Sequence, residues 1–174
     1  KEAARTNFFL FIHTYAAHNQ RQLPQTNKEL FSSSARLESI VPPSEENSYS
    51  YFVNQITREF NNGDEKALSD YVALYDGAIR YVDDFTGKLI NALDLLRVAD
   101  NTILAFTSDH GEEFFEHKYL GHSQFYDEVL RVPLIIKIPG SGKPKKINQV
   151  VRSIDIMPTI LELLDIPIYF AIHG

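Results

Sequence analysis

Between Asp64 and Val98, ten apolar residues recur at steps of three and four: Leu68, Tyr71, Val72, Tyr75, Ile79, Val82, Phe85, Leu89, Leu93 and Leu96. That period places them on one face of a single long helix. Such a helix must lay its apolar face against another layer, so the rest of the chain has to supply one. Asn62-Gly63-Asp64 provides a start signal. Gly77 and Gly87 lie inside the helix, where each costs about 1 kcal/mol relative to Ala. Close packing against a sheet is the predicted compensation.

Three short apolar runs are candidates for that sheet: Asn7 to Tyr15 (NFFLFIHTY), Asn101 to Ser108 (NTILAFTS) and Val132 to Ile138 (VPLIIKI). Each is short enough for a buried strand. Asn19 to Gly63 turns polar, with Pro24, Pro42, Pro43 and Ser32 to Ser34. It reads as an irregular excursion over a binding face, with short helices predicted at Asn27 to Glu38 and Tyr51 to Phe60. A short helix is expected near Gln124 to Leu130, and a last one from Ser153 to Leu164. Asp155 is its N-cap, and Pro158 is tolerable in its first turn. Strands alternating with helices predict an α/β fold, a three-layer sandwich with a largely parallel sheet covered on both faces.

The 174 residues suffice for one domain with a sizeable core. A net charge of -6 argues against nucleic acid as a partner, because phosphate binding wants clustered cations. The one basic cluster, Lys143 to Lys146, sits in a Gly/Pro turn and reads as a solvated loop. Without cysteine there is neither a disulfide framework nor a Cys-ligated zinc site. No apolar run approaches the ~20 residues of a membrane span. The start at Lys1 and the stop at Ile172-His173-Gly174 lead us to expect a truncated part of a longer chain.

Ligands of open α/β sheets bind beyond the carboxyl ends of the strands. The first apolar run leads to His13 and His18, the second straight to Asp109-His110-Gly111. Asp and His side by side can give one oxygen and one nitrogen to a divalent ion, and Gly111 lets the chain turn away sharply. Taken alone, Asp-His-Gly is explained more readily by a bland turn. The density of further candidates behind it, Glu112, Glu113, Glu116, His117 and His122, favours a site. His13 reads as a satisfied structural histidine, and His117 as either a crevice residue or part of a mobile loop. Arg131 is expected to anchor its loop by pairing with a carboxylate, and Asp83 and Asp84 to sit on the solvated side of the helix.

The segment TILAFTSDHGEEFFEHKYLGHSQFYDEVLRVPLIIKIPG, Thr102 to Gly140, resembles the sulfatase segment of the alkaline phosphatase superfamily. That pattern has a strand, Ser-Asp-His/Asn-Gly, a Gly-His or Gly-Lys, and Arg-Val-Pro leading into an apolar strand and Pro-Gly. Three more stretches are similar in order and spacing: Phe8 to His18, the long helix around Tyr75 to Leu93, and VRSIDIMPTILELL from Val151 to Leu164. The resemblance implies an alkaline phosphatase-like fold and metal-dependent hydrolysis of small anionic sulfate or phosphate esters. It implies Asp109 and His110 as ligands of a divalent cation, calcium in the first place, with manganese or zinc open to a site containing His. His18 matches a histidine that can protonate the leaving oxygen. His122 matches a position that grips the sulfate, and His117, where it approaches the crevice, is a further candidate substrate contact. The resemblance also favours a periplasmic or secreted setting.

Two departures qualify it. The family's nucleophile motif, Cys/Ser-x-Pro-x-Arg, is not among these residues, nor are the first metal carboxylates that precede it. Ala16-Ala17-His18-Asn19 replaces the usual loop around His18. Residues 1–174 are therefore expected to be a partial sulfatase-like catalytic domain without its nucleophile segment, inactive alone, with 19–63 a variable excursion over the active-site face. Phosphoryl or phosphoethanolamine transfer on the same scaffold, and a non-catalytic anion-binding domain, are the alternatives.

Overall fold

The computed structural model describes residues 7–20, 23–31 and 49–168. Within them run α1 (Gln25–Lys28), α2 (Tyr49–Asn61), α3 (Glu65–Leu95), β1 (Leu104–Thr107), β2 (Glu113–Phe114), β3 (Leu120–Gly121), α4 (Asp127–Leu130), β4 (Leu134–Lys137) and α5 (Ile156–Leu163). Single 3-10 turns at Ala99–Asn101 and Ser153–Asp155 lead into β1 and α5. Of the helix expected at Asn27 to Glu38, α1 holds the beginning, and its part beyond residue 31 lies outside the described residues.

α2 and the first half of α3 build the core. Phe52, Val53 and Ile56 face Ala67, Tyr71 and Leu74, and Leu120 of β3 closes the cluster. The positions on α2 are spaced by one and three, and those on α3 by four and three, so each set lies on one face. Full burial of Ile56, Leu74 and Leu120 stabilises by about 1.5–3 kcal/mol per side chain. Gly63, at φ +94°, breaks the chain between the two helices, a backbone that glycine adopts without steric cost.

Gly77 is packed as expected, but against a helix. A Cβ there would stand 2.3 Å from the Asn27 carbonyl oxygen of α1, so it is the short helix, not a sheet, that needs the glycine. Gly87 has nothing within 4 Å of where a Cβ would be.

The largely parallel sheet is corrected. Among the described residues both ladders are antiparallel and two-stranded: β1 with β4, Leu104 opposite Lys137 and Thr107 opposite Leu134, and β2 with β3. Strand–helix alternation predicts parallel pairing only when each connection crosses over. Here the segment from β1 to β4 folds into a hairpin plus one helical turn and returns the chain in the opposite direction. The first apolar run is corrected too. Residues 7–15 join no ladder, and Phe9 and Phe11 are 84% and 76% exposed. The second half of the α3 stripe is likewise uncovered, with Ile79 and Phe85 exposed. No helix among the described residues is long and apolar enough to cross a membrane.

Candidate functional site

β1 ends at Thr107 and the chain turns at once. The Ser108 hydroxyl donates to the His110 carbonyl at 2.8 Å, and the His110 N–H donates to Asp109 Oδ1 at 3.1 Å. Gly111 then passes so close to α4 that a Cβ would lie 2.0 Å from the Glu128 carbonyl oxygen. Its N–H donates to the Val129 carbonyl at 2.7 Å. The glycine is therefore required by contact, not by the sharp turn expected of it.

His110 Nδ1 lies 2.9 Å from the Gly111 carbonyl. A carbonyl only accepts, so Nδ1 carries the proton and Nε2 keeps its lone pair. Nε2 stands 3.9 Å from Asp109 Oδ2. The Asp109 carboxyl is pulled two ways: burial raises its pKa, but the backbone N–H bonds of Asp109 and His110 and the neighbouring imidazole outweigh that and hold it below its ordinary value.

Three imidazoles meet here. The rings of His110 and His122 stack with centroids 4.1 Å apart, and His18 stands 5.2 Å from His122 and 6.3 Å from His110. Burial first, then the charge of His122, holds the His18 pKa below its ordinary value; Glu112 and Asp109 oppose this. Tyr49 of α2 stacks beside both His18 and His122, with centroids 4.5 and 5.0 Å away.

Beneath the rings lies Glu112, 9% exposed. Its Oε1 accepts the hydroxyls of Tyr71, at 2.8 Å, and of Tyr49. Its Oε2 takes His122 Nδ1 at 2.9 Å. Burial, reinforced by the Glu112 carboxylate, raises the pKa of both phenols far above the ordinary tyrosine range, so both remain donors. One donor atom each of His110, Glu112 and His122 lie within 4.8 Å of one another, close enough to share a metal ion. A cavity of about 160 Å³ lined by Tyr49, Asn54, His122 and Ser123, among others, adjoins the cluster on the α2 side. Asp109, His110 and His18 do not line it.

The predicted residues thus divide. Asp109, His110, His18 and His122 come together. His117 does not join their ring contacts: it stacks on Tyr126 at 3.5 Å, with Nδ1 3.5 Å from Glu113 and 3.8 Å from Glu128. His13 is exposed and touches the Tyr15 ring, so it is not a satisfied core histidine. Arg131 pairs with Asp127 at 3.7 Å on an exposed surface, where such pairs contribute little. Asp84 takes an exposed Arg80 partner on the solvated side of α3. Asp155 occupies the N-cap position of α5, but its side chain turns back to accept the Arg152 N–H and guanidinium instead of a helix N–H.

Sequence reasoning gave no role to Tyr49, and it took Tyr71 only as a stripe residue. The available signal was chemical: a buried tyrosine needs a partner for its hydroxyl, and the acidic loop after Gly111 was the candidate partner.

A family model described as Sulfatase matches residues 1–166. The chain is 32% identical over 126 residues to arylsulfatase K of Gallus gallus, covering 72% of this chain and 23% of that protein. It is 39% identical over 105 residues to the multifunctional alkaline phosphatase superfamily protein PehA of Trinickia caryophylli, covering 58% and 20%. Over 163 residues it is 28% identical to N-acetylglucosamine-6-O-sulfatase of Bacteroides thetaiotaomicron, covering 89% and 28%. The chain spans between a fifth and about a quarter of the length of these relatives. With the match extending over nearly all its residues, the chain belongs to the sulfatase family.

Proposed function

We propose that this chain carries the metal-binding and ester-handling side of a sulfate-ester hydrolase site, acting on small anionic esters. One observation carries the reading: His18, distant in sequence from His110 and His122, gathers with them at the end of β1 beside Asp109. Asp109 and His110 offer one oxygen and one nitrogen from a turn locked by its own hydrogen bonds. That donor pair fits a divalent cation, calcium by family resemblance, with manganese and zinc suited to the imidazole. Once bound, such a cation neutralises charge on the transferred sulfuryl oxygens.

The protein's own groups do the rest. When protonated, His122 keeps Nδ1 on Glu112 and presents Nε2–H to an ester oxygen. His18 gives a proton to the leaving oxygen. Its lowered pKa confines the acid form to the acidic side of its ordinary 6.5, so turnover that depends on it falls as pH rises. The excursion 19–63 reaches the site through Tyr49 and is the segment assigned to substrate choice. His117 is a substrate contact only if its loop leaves Tyr126.

Phosphoryl transfer is the second reading, supported by the likeness to a protein described as multifunctional and by the imidazole among the metal donors. Both readings need a nucleophile from outside these 174 residues. Incubated alone with an aryl sulfate and an aryl phosphate in calcium or manganese, the polypeptide is expected to give no turnover above buffer. In a polypeptide that also carries the nucleophile motif, His18→Ala and His122→Ala each lower kcat/KM by about 10²-fold or more. Unchanged kcat/KM in both variants would overturn the assignment.

A further inference from the structure

The geometry points to a second cation site, formed by His110, Glu112 and His122, that takes a divalent transition ion such as zinc. This site uses neither Asp109 nor an all-oxygen donor set, and it shares only His110 with the pair proposed above.

Three features carry it. The donor atoms of the three side chains already lie within 4.8 Å of one another, so small side-chain movements bring them to the ~2.0–2.2 Å bonds of a zinc ion. Both imidazoles have a nitrogen to give. Nδ1 of His110 donates to the Gly111 carbonyl, which leaves its Nε2 lone pair free in the neutral ring, and Nδ1 of His122 already faces Glu112 at 2.9 Å, where an ion would replace the shared proton. The His110 bond to Gly111 is the outer hydrogen bonding that orients a ligating histidine. Finally, Glu112 is buried, and among the described residues no Lys or Arg pairs with it; its partners are two phenols and an imidazole. A buried carboxylate is costly unless paired; a neutral His122 gives it only a hydrogen bond, and a dication between it and the two imidazoles would supply the positive charge.

Two nitrogens and one oxygen select zinc, cobalt or nickel over calcium, which prefers six or more oxygens. An ion here would displace the proton that His122 Nδ1 shares with Glu112.

The test is calorimetric titration of the 174-residue chain with zinc, and separately with calcium, near neutral pH. One zinc is expected to bind per chain. Affinity should drop at least tenfold in His122→Asn and in Glu112→Gln and stay within a factor of two in Asp109→Asn. Circular dichroism of each variant checks folding, and His122→Asn, at a side chain more exposed than Glu112, remains decisive if Glu112→Gln unfolds. Zinc binding that survives His122→Asn, or the absence of stoichiometric zinc binding, overturns the site. Loss of zinc in Asp109→Asn overturns it as well, since the ion would then sit on Asp109 and His110. The calcium arm reports separately on the Asp109–His110 pair, so failure of one reading leaves the other standing.

Discussion

Glu112 shows how one residue can tie three segments together. It joins α2 through Tyr49, α3 through Tyr71 and the loop after β3 through His122. Such a buried network is strong only while each donor is present. Tyr71→Phe keeps the ring and its packing on Phe52 and Phe114 but removes a 2.8 Å bond to a buried carboxylate. We expect a loss of about 2 kcal/mol in urea unfolding, with little change in the slope against denaturant. A loss below a few tenths of that would mean that Tyr49 alone satisfies the oxygen. At this scale the sequence was only partly legible. Asp109 and His110 stand out because they follow an apolar run directly. Tyr49 and Tyr71 do not, since an apolar stripe does not say which tyrosine hydroxyl meets a carboxylate.

At the scale of elements, the two glycines of α3 separate local preference from packing. Gly87 faces open space, so Gly87→Ala should raise stability by about 1 kcal/mol through helix propensity alone. Gly77→Ala places a methyl 2.3 Å from the Asn27 carbonyl. It should destabilise instead, because α1 has to move. Thermal melts of the two variants are expected to shift in opposite directions, and a Gly77→Ala protein as stable as the parent would show that α1 does not hold its place. Helix propensity was readable in advance, whereas the identity of the neighbour was not: glycine marks a close approach without naming what approaches.

At the scale of the whole molecule, apolar surface among the described residues stands uncovered. It lies on the side chains of residues 8–12 and on the outer half of α3, both rich in exposed Phe, Ile and Leu. Contiguous apolar faces of this kind seek partners. The 174-residue polypeptide should therefore enhance the fluorescence of an apolar dye such as ANS and elute from a sizing column above its 19.9 kDa mass. A sharp monomer peak without dye binding would mean that these faces are covered in solution.

The sequence by itself determined the helix of α3, two of the three apolar strands, β1 and β4, and the Asp-His pair that follows β1. These rest on period and on neighbours along the chain, which local physics reads directly. Only the tertiary structure decided that the strands pair antiparallel, that Gly111 yields to α4, and that His18, His110 and His122 share one cluster above a buried Glu112. Each of those depends on which distant segments come into contact, and contact between distant segments is set by packing and loop closure rather than by any local pattern.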